Sequence, residues 1–228
     1  AVPASRKMMQ EVLKQAGCTN TKMYLAKNLA LSMTDSYWIR PLDMDVKYED
    51  VKLSNLNPFS DNKVPYHNAT SYDANASLGG QMEKYWDIGT KPPVLIKESY
   101  KYFRQQAINE SFATYLHDLQ ETIIPYVPYV TGYTEDNGLY CKCDAFTNDS
   151  VELVSAYEVI EGSKLKNDRS LYDNYIRICA DLGIEEQEIS DFMDYQTLTD
   201  FIISNTDEHL GNFGILRDSN TMQYLGPA

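Results

Sequence analysis

The sequence is short of cations. It carries 20 Lys and Arg against 33 Asp and Glu in 228 residues, a formal net charge of −13. Non-specific nucleic-acid binding needs cations to neutralise phosphates, so this balance argues against direct contact with nucleic acid. It disfavours an anionic membrane surface for the same reason. Long apolar runs are missing too, and no stretch approaches the roughly 18 residues of a membrane span. Residues Ala1 to Lys7 lack the apolar core of a secretory signal, so the expected location is cytoplasmic. The chain opens on Ala1 rather than Met, and a natural start upstream is expected. Histidine is limited to 3 residues and cysteine to 4, too few for a disulfide scaffold. Strand alternation would put Cys141 and Cys143 on one face, but no histidine lies near them in sequence to complete a metal site. Together with Cys18 and Cys179 they read as reduced core cysteines. Without a secretory signal, the sequons at Asn68, Asn75, Asn109 and Asn148 read as coincidence.

What is present is ordinary for a globular protein: 43% hydrophobic and 23% charged residues. The length allows one large domain or two smaller lobes. Ser5 to Ala16 reads as a helix with Gly17 as its cap, and Leu53 to Ala76 as a polar surface loop. Tyr85-Trp86 and Pro93 to Lys97 read as strands. Tyr100 to Thr122 is the longest helical pattern, stopped by Pro125. Tyr126 to Tyr133 and Leu139 to Phe146 read as a hairpin. Val151 to Ile160, Ser170 to Leu182 and Glu186 to Ser204 are helix-periodic, with Ser170 capping the second. A hairpin, Phe213 to Arg217 and Thr221 to Leu225, follows. Mixed strands and helix followed by mostly helix predict a two-lobed α+β protein with a boundary near 146–150.

The sharpest motif is Ser204-Asn205-Thr206-Asp207-Glu208-His209-Leu210-Gly211-Asn212-Phe213-Gly214. Asp207 and Asn212 stand in Asp-x-x-x-x-Asn spacing between a helical segment and a hairpin. Phosphoryl transfer needs such a pair: an aspartate to orient the acceptor hydroxyl and take its proton, and an asparagine oxygen to hold Mg²⁺. The same residues are also ordinary formers of polar loops. Upstream, Lys97 ends an apolar strand, where it could reach nucleotide phosphates or simply snorkel into solvent. Glu110 lies in the next helix, as a partner for Lys97 or as a surface residue. Gly79 and Gly80 could admit phosphate oxygens to backbone N–H groups, or merely form a turn. The order of these features, rather than any one of them, favours the chemistry.

These motifs resemble those of the HipA-like bacterial serine/threonine kinases, especially the compact members of that family. The residues that carry the resemblance are Leu31 to Pro41, Ser77-Leu78-Gly79-Gly80-Gln81-Met82-Glu83-Lys84, Leu95-Ile96-Lys97, Asn109-Glu110 and Asn205 to Gly214. It implies a kinase-like fold with a mixed N-lobe over residues 1–148, built on an antiparallel sheet, and a mainly helical C-lobe over 149–228. It implies ATP and Mg²⁺ as cofactors and transfer of the γ-phosphoryl group to a Ser or Thr hydroxyl of a protein substrate. Asp207 would be the catalytic base and Asn212 a Mg²⁺ ligand. Lys97 would contact phosphates with Glu110 as its partner, and His209 would organise the loop. Ser77 matches a phosphate-loop serine that some relatives autophosphorylate, a charge that would displace the loop from ATP. A helix-turn-helix antitoxin is an implied partner.

Two departures from the family pattern stand out. Glu208 follows Asp207 where relatives often carry Arg, and the aspartate expected as second metal ligand does not occur before Ala228. The alternative function is therefore a pseudokinase or regulatory binding module. An acidic interaction protein ranks last, because the negative charge is spread along the chain.

Overall fold

The computed structural model describes residues 9–10, 13–14, 16–55, 84–99, 105–136 and 138–228. The expected phosphate loop with Ser77, Gly79 and Gly80 lies outside them, as does most of the stretch read as a polar surface loop. The chain divides into two compact units, Ala1–Phe112 with Pro128–Phe146, and Ala113–Val127 with Thr147–Ala228.

The first unit contains short helices α1 (Thr21–Asn28) and α2 (Tyr48–Val51) and a four-stranded sheet. Asn20 caps α1, its side chain accepting from the Met23 N–H at 2.9 Å. Leu29, Leu31, Val51 and Leu53 form a small core there, with Trp38 and Tyr48 packed against it. The sheet comprises β1 (Lys84–Asp87), β2 (Val94–Glu98), β3 (Val130–Thr134) and β4 (Gly138–Asp144), in the order β1-β2-β4-β3 with every pairing antiparallel. The β3–β4 hairpin forms where the turn residues predict it. Thr134 pairs with Gly138, whose positive φ of 77° suits glycine.

Helix α3 (Gln106–Leu119) follows β2. It ends before the expected Thr122, because Glu121 turns into the left-handed region at φ 47°. Its first turn is tied to the sheet. The Ala107 N–H donates to Ser99 Oγ at 2.7 Å, and the Thr131 hydroxyl donates to the Ala107 carbonyl at 3.3 Å.

The second unit holds α4 (Ala156–Glu161), α5 (Leu171–Asp181), α6 (Glu186–Ile203) and a three-stranded antiparallel sheet, β5 (Val151–Ser155), β6 (Gly214–Asp218) and β7 (Tyr224–Pro227). The expected helix over Val151 to Ile160 is corrected here: its first half is β5. Ser155-Ala156-Tyr157-Glu158 is a capping box. Ser155 Oγ accepts from the Glu158 N–H, and Glu158 Oε2 accepts from the Ser155 N–H at 2.9 Å. The helix therefore begins at Ala156, and the alternating residues before it pair with β6. Glu152 and Arg217 face each other in that pairing, and Arg217 Nη2 meets the buried Glu152 carboxylate at 2.6 Å. Helices α5 and α6 lie as their periodicity predicts. Ser170 caps α5, accepting from the Asp173 N–H at 3.0 Å. The core joins Tyr175, Ile178 and Cys179 of α5, Ile189 and Phe192 of α6, and Phe213 and Ile215.

Candidate functional site

The sequence-predicted residues fall into two groups, one in each unit. In the first unit Lys97 lies near the end of β2, an inner strand of the sheet. Its side chain is 16% exposed, and its Nζ meets Glu110 Oε1 of α3 at 2.8 Å. The structure thus brings the strand lysine and the helix glutamate together. Register makes the neighbourhood explicit. Lys84 of β1 stands opposite Lys97, Lys97 opposite Cys141 of β4, and Cys141 opposite Thr131 of β3. Directly paired residues share a face, so these four form a row across the sheet.

Tyr129, just before β3, completes the setting. Lys97 Nζ lies 4.2 Å from its ring centroid, within cation–π range. Burial, with the neighbouring Cys143 and Glu110, pushes the Tyr129 hydroxyl far above its usual range. Burial likewise pushes the Cys141 thiol up to about 12, with Glu110 adding to the effect and Lys97 opposing it. Such thiols are inert at neutral pH. All four cysteines are free and buried, as expected of core residues. Burial lowers the pKa of Lys84, and the adjacent Lys97 charge lowers it further, partly offset by Glu110.

In the second unit Asp207 and Asn212 occupy the loop between α6 and β6. Ser204 ends α6 in the left-handed conformation, φ 55°. Asn205 then anchors the loop, its Nδ2 donating to Asp200 Oδ1 at 2.9 Å while its Oδ1 accepts from the Asp207 N–H at 3.2 Å. His209 Nδ1 accepts from the Gly211 N–H at 3.1 Å, and its carbonyl accepts from the Asn212 N–H at 2.8 Å. The Tyr157 and Ala156 N–H groups of α4 donate to the Leu210 and Phe213 carbonyls, both at 2.9 Å. Phe213 packs edge-on to Tyr175 at 5.5 Å. Gly214 is required by close approach: a Cβ there would sit 2.2 Å from the Val154 carbonyl oxygen.

Within this frame Asn212 Nδ2 donates to the Asp207 carbonyl at 2.8 Å. Its Oδ1 has no partner among the described residues. The Asp207 carboxylate is exposed. Glu208 is partly buried, and desolvation, reinforced by the negative charges of Asp200 and Asp207, raises its carboxyl to about 7. Its hydrogen bonds to Asn212 and Gln196 oppose that rise. Among the described residues, no group of three or more His, Cys, Asp or Glu is placed to hold a metal. Also among them, no helix is long and apolar enough to cross a membrane.

Sequence reasoning quoted Lys84 without giving it a role of its own, and it missed Tyr129 and Gln196. Lys84 closes the motif Ser77 to Lys84, and its alternation with Trp86 was the available signal. Nothing local marked Tyr129 or Gln196.

No family model matches the chain, and no curated protein matches it. Among solved structures it is similar to a proinflammatory kinase of Helicobacter pylori, CtkA, with 19% identity over 64% of this chain and a TM-score of 0.52. The match covers 53% of that kinase, so the chain spans about half its length. At this identity the likeness shows a kinase-like mixed α/β fold.

Proposed function

We propose that this protein is a HipA-like, ATP-dependent serine/threonine kinase domain. The observation that carries the reading is the Lys97–Glu110 ion pair at 2.8 Å. A strand lysine paired to a glutamate of the next helix is the device by which protein kinases place a cation on the nucleotide phosphates. The fold likeness to CtkA supports the same reading.

In this mechanism Lys97 neutralises phosphate charge and Glu110 holds it in place. Asp207 orients the acceptor hydroxyl and takes its proton as the hydroxyl oxygen bonds to the γ-phosphorus and the bond to ADP breaks. The asparagine oxygen of Asn212 suits a hard cation in kind. Mg²⁺ takes few protein ligands and fills its shell with water and phosphate oxygens. Asn212 would hold Mg²⁺, which when bound neutralises charge developing on the phosphates. Ser77, Gly79 and Gly80 are the proposed phosphate loop, with Ser77 the proposed site of autophosphorylation. The acceptor is a protein Ser or Thr, and a helix-turn-helix antitoxin is the proposed partner.

A catalytically silent binding module is the second reading. Glu208 favours it, because a half-buried carboxyl beside Asp207 works against an incoming polyphosphate.

Calorimetric titration with ATP and Mg²⁺, followed by phosphopeptide mass spectrometry of protein incubated with ATP, tests both. Binding with phosphoryl transfer that Asp207→Asn abolishes supports the kinase. Binding without transfer supports the silent module. Absence of ATP binding would refute the kinase and favour the silent module, and transfer that persists in Asp207→Asn would refute the base assignment.

A further inference from the structure

Helix α3 reverses the usual amphipathic arrangement. A surface helix ordinarily turns its apolar stripe inward and its polar residues to water. In α3 the polar residues are the ones engaged with the protein. Glu110 meets Lys97 at 2.8 Å, Ser111 bonds Thr131 of β3, and His117 Nδ1 meets the Tyr195 hydroxyl at 2.8 Å. The outer side carries Ile108, Phe112, Tyr115 and Leu119, which are 49%, 55%, 57% and 62% exposed. Their spacing of four, three and four residues is that of a coiled-coil a/d seam. All four stand on one continuous helix, Gln106–Leu119, so the helical period alone aligns them.

The seam is also symmetric about its midpoint, between Ala113 and Thr114. A two-fold axis there, with two α3 helices antiparallel, sets Ile108 of one copy against Leu119 of the other, and Phe112 against Tyr115. Such self-complementarity is what an isologous interface requires. Charge agrees with it. Asp118 and Glu121, at the C-terminal end, oppose the dipole of their own helix. Antiparallel pairing brings them beside the first turn of the other copy's helix, where negative charge is favourable, and keeps them apart from their own counterparts. Glu110 lies on the opposite side of the helix, so its pair with Lys97 is undisturbed. Two such stripes together remove on the order of 1,000 Å² from water, the lower limit of a specific interface, so the association is weak and concentration-dependent.

We infer that the exposed stripe of α3 is a homodimer interface, covered by the same stripe of a second copy in antiparallel orientation. The inference does not depend on the nucleotide-binding reading.

Sedimentation equilibrium of the full chain tests it, in salt of about 0.15 M, which screens repulsion between the acidic copies beyond about 8 Å. The wild type should pass from monomer to dimer between about 1 and 200 µM. Phe112→Glu should weaken the dimer at least about a hundredfold, because the two-fold axis places a desolvated carboxylate in the interface twice. Phe201→Glu, at an exposed apolar residue of α6, should leave it unchanged. Cross-linking reads the orientation. Ile108 and Leu119 are about 16 Å apart along one helix, too far for a disulfide within a chain. The double variant Ile108→Cys/Leu119→Cys should therefore form disulfide-linked dimers on oxidation. Neither single variant should, since the native cysteines are buried.

A wild type that stays monomeric throughout would overturn the inference and leave the stripe to a different protein. So would a dimer that Phe112→Glu leaves intact, or one that either single-cysteine variant cross-links, which would mean parallel pairing or another interface. If Phe112→Glu fails to fold, the wild-type mass and the cross-linking pattern decide.

Discussion

Replacing Glu208 with glutamine should stabilise the protein at alkaline pH and do nothing at acid pH. Glu208 Oε1 is buried without a hydrogen-bond partner, and so is Gln196 Oε1. Two acceptor oxygens thus lack a donor. A proton on the Glu208 carboxyl turns one of them into a donor, and desolvation together with the charge of Asp200 favours that proton.

The folded-state pKa rises from an ordinary 4.5 to about 7. Between these values the folded chain binds more protons than the unfolded chain, so stability falls as pH rises through the window. The contribution is fully present below 4.5 and fully lost above about 7. The whole displacement corresponds to about 3 kcal/mol. Glu208 retains some solvent contact, and screening reduces this to about 1–2 kcal/mol. A buried acceptor left unsatisfied costs a similar amount, about 1–3 kcal/mol.

Glu208→Gln carries an N–H donor at every pH and has nearly the same volume. Denaturant titrations at pH 8 should show the variant more stable by about 1–2 kcal/mol, and its Tm raised by a few degrees. At pH 4 the two proteins should be equally stable. A variant less stable than the wild type at pH 8, or a difference that does not change with pH, would refute the reasoning.

Gly214→Ala should destabilise by about 3 kcal/mol, because its methyl would meet backbone atoms of Val154 and Ser155 that have no room to move; a loss below about 0.5 kcal/mol in a denaturant titration contradicts that geometry. Glu152→Ala should cost about 3–5 kcal/mol by removing the buried carboxylate that meets the Arg217 guanidinium, in the same assay, and a neutral effect would show that the pair contributes little. Burial pushes Cys141 up to about 12 and Cys179 up to about 11, so neither should react with iodoacetamide at pH 8 until the protein unfolds. Rapid native labelling of either, read by peptide mass, runs against their burial.

Much of the local structure was legible in the chain. Ser170 capping α5, the turn between β3 and β4, and the helical period of α6 depend on neighbours a few residues away. Such signals are complete within one segment. The boundary at Ser155 was legible too, since a capping box is a local device, but the apolar period running across it masked the strand before the helix. Strand β5 is defined by its pairing with β6, residues far along the chain.

The candidate site divides along the same line. Sequence order alone marked Lys97, Glu110, Asp207 and Asn212 as chemically meaningful residues at meaningful spacings. It could not place Lys97 against Glu110, because that contact depends on how α3 lies on the sheet. Nor could it reveal that Lys84 stands opposite Lys97. A one-residue slip of β1 would turn Lys84 to the other face, and only the formed hydrogen-bond ladder excludes that slip. The half-buried state of Glu208 has the same origin. The sequence determined a carboxylate beside Asp207, and the packing of the loop beside α6 decided how much water that carboxylate keeps.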